Sequence, residues 1–192
     1  MRRAGKPPRM PRSMLRRLPI VACAVVLATP LGLVACGDDE QGIDEPAREG
    51  LAIELGGVDY TVFITRELNP KITPDDAYVT DEAPPGEAIY GVFLRACNMS
   101  DDQHEAASEF IVKDNQENTF EPEPLPDDNQ FAYTPRTLDP KECIPEAGSV
   151  AQLGPTAGSM LLFQFPLENT ENRPLELEIE QDGEKRTFEL DI

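Results

Sequence analysis

The chain has no tryptophan, a single histidine and four cysteines. These shortages remove the commonest ways of assembling a catalytic centre. There is no Gly-x-Ser-x-Gly, no Cys-x-x-Cys and no second imidazole to complete a metal site or a nucleophile–base pair. The lone His104 lies in Ser100-Asp-Asp-Gln-His-Glu105, an acidic loop where a solvated imidazole is expected. Carboxylates are plentiful, but 36 acids guarantee chance pairs and indicate none of them as an acid–base couple. Acids are also missing from one place. The first 35 residues contain seven of the 17 Lys and Arg and no Asp or Glu, so from Cys36 onward 10 cations face all 36 acids, a balance of −26 with His104 neutral. Such a surface repels phosphates, and with no basic stripe nucleic acid is excluded as a partner.

What the head of the chain does contain is a basic segment, an apolar run from Leu18 to Ala35, and small residues before an abrupt acidic border. This is the pattern of an export signal, which is not part of the folded product. Arg16-Arg17 is followed by Leu18-Pro19, a poor fit to twin-arginine export, so general secretion is expected. Residues 37–50, with six acids, one arginine and almost no apolar side chains, cannot bury enough surface to offset their ordering and read as a flexible tether. Its charge would hold a domain off an anionic lipid surface over about 10 Å.

At the border, Leu33-Val34-Ala35-Cys36 resembles the lipobox of bacterial lipoproteins, an aliphatic residue and two small ones before an obligatory cysteine. The resemblance implies diacylglycerol on the Cys36 sulfur, cleavage before it, and a protein held on the extracytoplasmic side of the cell membrane by its lipid. Two or three acyl chains suffice for stable anchoring, since each buried methylene contributes about 0.8 kcal/mol. The alternatives are an uncleaved signal anchor, the apolar run approaching the roughly 20 residues that span a bilayer, and plain secretion after Ala35. Cys23 lies inside the apolar run without the small-residue lead and is read as filler.

From Leu51 to Ile192 the periodicity is that of strands. Leu175, Leu177 and Ile179 alternate with Glu176, Glu178 and Glu180; Asp182-Gly183 supplies a hairpin turn; Phe188, Leu190 and Ile192 resume the alternation. Val58–Leu68, Ala88–Asn98, Phe110–Asp114, Thr119–Glu121 and Met160–Phe165 are further strands, bounded by Pro, Gly and Asp clusters. No dozen residues show helical spacing, and most of the 19 prolines fall between the strand runs. The division is therefore a signal peptide at 1–35, a lipidated cysteine and acidic linker at 36–50, and one all-β antiparallel sandwich at 51–192.

Part of that domain resembles the immunoglobulin-like domain of small bacterial lipoproteins of the DUF4352 group. The landmarks are Tyr90-Gly-Val-Phe-Leu-Arg-Ala-Cys-Asn98, Phe110-Ile-Val-Lys-Asp114 before Phe120-Glu-Pro122, and Ala157-Gly158 before Met160-Leu-Leu-Phe-Gln-Phe-Pro166. The resemblance implies an extracellular immunoglobulin-like sandwich and carries no agreed activity. This chain departs from it at Asp101-Asp102-Gln103-His104 and in the elaborate Pro-rich stretch from Glu121 to Thr156.

With Cys23 removed and Cys36 lipidated, Cys97 and Cys143 remain, an even pair in an oxidising compartment and so one expected disulfide. The competing use, a thiolate metal site, lacks Cys or His at ligand spacing. No cofactor is implied. Three function classes survive. The first is a non-enzymatic binding module of the envelope, meeting another surface protein, a wall polymer or a small ligand, with Phe131 and Tyr133 of the Pro-rich stretch as possible partner contacts or as packing for their own loop. The second is a calcium-dependent domain using Asp75-Asp76, Asp81-Glu82, Asp101-Asp102 or Asp127-Asp128, none in an EF-hand pattern. The third is a carboxylate-based hydrolase, which requires a pocket a sequence cannot display.

Overall fold

A computed structural model describes residues 45–192. The signal-like segment, Cys36 and most of the acidic stretch lie outside them.

Twelve strands follow in chain order: β1 (Ala47–Arg48), β2 (Ala52–Leu55), β3 (Val58–Glu67), β4 (Glu87–Asn98), β5 (His104–Glu105), β6 (Glu109–Lys113), β7 (Thr119–Phe120), β8 (Thr137–Leu138), β9 (Cys143–Ile144), β10 (Ser159–Pro166), β11 (Leu175–Gln181) and β12 (Glu184–Leu190). They form an antiparallel β-sandwich. One sheet runs β1-β12-β11-β6-β7, the other β10-β4-β3-β2 with β9 continuing beside β4, and β5 pairs with β8. Among the described residues helix is confined to short segments, the α-helical one at Val150–Leu153.

The β11–β12 hairpin forms where the alternation places it. Gln181 pairs with Glu184, and both turn residues, Asp182 (φ 53°) and Gly183 (φ 82°), take the positive φ that a two-residue turn matched to strand twist requires. Leu175, Leu177, Ile179, Phe188 and Leu190 face the core. On the opposite, solvated face Glu178 lies between Lys113 and Lys185, each 2.7 Å away.

The second sheet differs in being covered on both faces along β4. Along β4, Tyr90, Val92 and Leu94 enter the core between the sheets, while Ile89 and Phe93 enter a second cluster with Leu68, Tyr78, Phe131 and Met160. This explains why β4 reads as a continuous apolar run, since alternation disappears when neither face meets water. The outer cover is two long connections, 68–86 and the Pro-rich stretch after β7.

The segment expected as a tether departs from that expectation at its end. Ala47–Arg48 pairs in parallel with Phe188 and Glu189 of β12, Ala47 is buried, and Gly50 N–H donates to the Val62 carbonyl at 2.7 Å. The chain is thus incorporated before Leu51, because one alanine small enough to enter the core edge and a free strand edge on β12 suffice to dock it.

One core position is imperfect. The Thr65 hydroxyl is buried without a hydrogen-bond partner. Replacing it with an isosteric apolar group removes that penalty, so Thr65→Val is expected to stabilise by about 1 kcal/mol. Thermal melting would register a rise of roughly 3 °C in a domain of this size.

Candidate functional site

The outer face of the second sheet carries a cleft of about 400 Å3 between the two covering connections. Its first wall is the segment around Tyr78 and Val79. Arg66 of β3 fixes it, pairing with Asp75 at 2.5 Å and lying 5.6 and 5.8 Å over the Tyr78 and Phe93 rings. Asp75 is 2% exposed and also accepts the Asn69 backbone N–H at 2.9 Å. Its carboxylate is therefore committed within the fold, which takes Asp75 out of the expected calcium ligands.

The second wall is Glu123 to Phe131. Glu123 N–H donates to the Leu162 carbonyl at 2.7 Å, Met160 N–H to Phe131 at 2.6 Å, and Tyr133 N–H to Met160 at 2.9 Å, so this stretch lies along the open edge of β10. Pro122, Pro124 and Pro126 within it bring no N–H groups, which leaves its outward side a poor template for further strand addition. Asn129 ties the walls together by donating its side-chain amide to the Tyr78 carbonyl at 2.9 Å. Ile89, Leu162 and Phe131 form an apolar floor, and Asp81, Glu82, Glu123 and Asp128 stand around it. A small cavity of apolar floor and charged rim suits reversible binding.

Phe131 and Tyr133, expected as possible partner contacts, are each only 8% exposed. Phe131 packs edge-on against Tyr78 with ring centroids 4.6 Å apart, and Tyr133 likewise against Phe110 at 5.1 Å. The Tyr133 hydroxyl donates to the Ala107 carbonyl at 3.0 Å, and burial pushes its pKa up. Of the two readings open for them, partner contact and packing of their own loop, the second describes their placement. Both bind the loop to the sheet, and Phe131 reaches a ligand only as floor. Sequence reasoning missed Tyr78, whose place depends on Arg66 and on an aromatic more than fifty residues away.

Cys97 and Cys143 are joined, with Cα atoms 4.1 Å apart, directly opposite one another in the β4–β9 pairing. His104 is half-buried in β5 opposite Leu138, its ring close above Gly57, and does not project freely as expected. Among the described residues no group of three or more His, Cys, Asp or Glu is arranged to hold a metal ion.

A carboxylate held far from its ordinary value lies elsewhere, at Asp114, 4% exposed just after β6. Its carboxylate accepts the backbone N–H groups of Gln116 and Asn118, both at 2.9 Å. Side-chain amides of Asn118, Asn169 and Asn172 add three more bonds at 2.8, 3.0 and 2.9 Å. Burial alone would raise its pKa; the hydrogen bonds from Asn118, Asn169 and Asn172 outweigh it and hold the carboxyl well below the usual range. Saturated in this way, Asp114 is a structural clasp between two loops.

No protein-family model matches the chain, and no curated protein matches it at a significant level. Solved structures superpose on it at low identity. An uncharacterised β-sandwich protein from Clostridium difficile 630 superposes with a TM-score of 0.47 at 15% identity, over 77% of this chain and 95% of that one. The yjhA protein of Bacillus subtilis gives 0.46 at 12% identity, over 76% and 99%. A candidate lipoprotein of Bacillus subtilis strain 168, ycdA, gives 0.45 at 11% identity, over 73% of this chain and 38% of its own.

Proposed function

We propose that the protein is a non-enzymatic binding module, held by lipid on Cys36 at the outer side of the cell membrane, that takes its ligand in the cleft on the outer face of the β10-β4-β3-β2 sheet. The observation that carries the binding role is that cleft: a concavity with an apolar floor, walls fixed by Asn129 and by the Arg66–Asp75 pair, and an acidic rim. The anchor rests on Leu33-Val34-Ala35-Cys36 and on the acidic stretch that follows it. The disulfide suits an oxidising compartment.

Intact-mass measurement on protein extracted from a membrane fraction tests the anchor. The expected mass begins at Cys36, carries two or three acyl chains, and rises by two hydrogens on reduction. A mass starting elsewhere and without lipid would remove the anchored reading. Site-specific photocross-linking in living cells tests the binding role, with the probe at Gln130 beside the cleft and, for comparison, at Glu184 on the far hairpin. Discrete adducts at Gln130 and none at Glu184 are expected. Identical patterns from both positions would refute use of the cleft.

A further inference from the structure

Two neighbouring clefts continue from the first. One of about 350 Å3 shares Pro124, Leu125 and Leu162 with it. Another of about 480 Å3 adjoins that second one through Pro122, Tyr133 and Leu161 and reaches β6. Leu162 belongs to the outer cluster and Leu161 to the core between the sheets. The three form one groove that follows the Pro-rich strand around the edge of β10, longer than a compact small molecule would fill.

Charge along this groove has one sign. Beyond the acids of the first cleft, Asp127 lines the second and Glu109 and Glu121 the third, while among the described residues no Lys, Arg or His lines any of them. The domain does not lack cations. Arg66, Lys113, Arg136, Lys141 and Lys185 are all in ion pairs, with acids outside the groove. Among the described residues Glu82 is the one rim acid with such a partner, Lys71 at 2.6 Å, and both of those side chains are largely exposed. Apart from Lys71 at Glu82, the described cations in ion pairs are paired away from this apolar-floored groove, whose rim is acidic. Main-chain pairing is not what the groove offers, because its prolines provide no donors and the β10 edge is already covered.

Resting on the binding role proposed above, we infer that the occupant is an extended peptide segment that alternates basic with apolar side chains. Its apolar side chains enter over Ile89, Leu162 and Leu125, and its ammonium or guanidinium groups lie along Asp81, Glu123, Asp128 and Glu121. Apolar contact supplies the affinity that screened rim charges cannot, and the charges supply direction and selectivity.

The test uses fluorescence anisotropy with a labelled octapeptide that alternates lysine with leucine, at physiological salt. Two triple variants remove equal charge: Asp81→Asn/Glu123→Gln/Asp128→Asn in the groove, and Asp101→Asn/Asp182→Asn/Glu184→Gln far from it. The groove variant is expected to bind about tenfold more weakly, a difference of about 1.4 kcal/mol, and the remote variant to stay within about twofold of the parent. A peptide alternating lysine with serine should bind weakly, and one alternating glutamate with leucine not at all. Equal weakening by both variants would overturn the proposal by reducing it to bulk charge attraction. Spermidine displacing the peptide at matched charge would overturn it in favour of a small organic cation. Absence of peptide binding alongside Gln130-specific cross-links would remove this inference and leave the binding role standing.

Discussion

Removing the Cys97–Cys143 bridge is expected to lower stability by about 4 kcal/mol, the chain-entropy value for the 46-residue separation it spans. In thermal melts the midpoint should fall by on the order of 10 °C. The suitable variant is Cys97→Ala/Cys143→Ala, because Cys97 is buried and a small apolar replacement adds no unsatisfied group. The bridge closes a loop that contains β5 to β8 and the Pro-rich wall of the cleft. It also clamps β9 to β4, a pairing of two residues that would contribute little alone. The parent protein measured with a reductant should match the double variant measured without one. A difference below about 1 kcal/mol would mean that β9 and the loop are held by their other contacts, chiefly Arg136 with Glu142 and Asn98 with the Leu138 carbonyl.

Asp114→Asn is expected to cost about 3 kcal/mol at neutral pH, since hydrogen bonds to a charged acceptor are the stronger kind and a buried donor left without one is penalised. The carboxylate satisfies five N–H groups. An amide presents one oxygen and turns its own N–H groups toward donors. The sign of the pH dependence follows from the folded carboxyl lying below its ordinary value of 3.8. The unfolded chain takes up the proton first, so the stabilisation is complete above about pH 5 and is lost progressively as acidity increases below about pH 4 toward the low folded value. Urea unfolding of parent and variant at pH 7 and at pH 3 checks it. The gap should narrow at the lower pH, and a gap of constant size would show that Asp114 does not hold its loops as a carboxylate.

These two features mark how far the sequence could be read. The disulfide was legible by elimination, because only two cysteines remained for an oxidising compartment. The clasp was not, since Asn118 and the pair Asn169 and Asn172 come from two loops far apart in the chain and nothing local distinguishes them from other turn asparagines. Strands followed the same division. β11 and β12 were evident because one of their faces meets water and the alternation survives. β4 was evident as a strand, but not as one buried twice over, since that depends on Tyr78 and Phe131 folding across it. β1 escaped notice because two residues in an acidic segment carry no pattern; only the open edge of β12 gives them a place. For Phe131 and Tyr133 of the Pro-rich stretch the sequence leaves partner contact and packing of their own loop both open, because exposure is decided by what lies opposite.

The second sheet's two-sided burial also bears on how the molecule opens. Its inner face belongs to the large core and its outer face to a smaller cluster built from loop side chains. Two clusters of unequal size on one sheet mean two different free energies of local opening. Amides of β4 should be among the last to exchange with solvent deuterium, while those of the 68–86 and 123–133 connections exchange earlier, through a partial unfolding that leaves the sandwich intact. The groove is built on that more easily opened layer. An occupant would therefore announce itself as slowed exchange in the covering loops well before it altered the global melting transition.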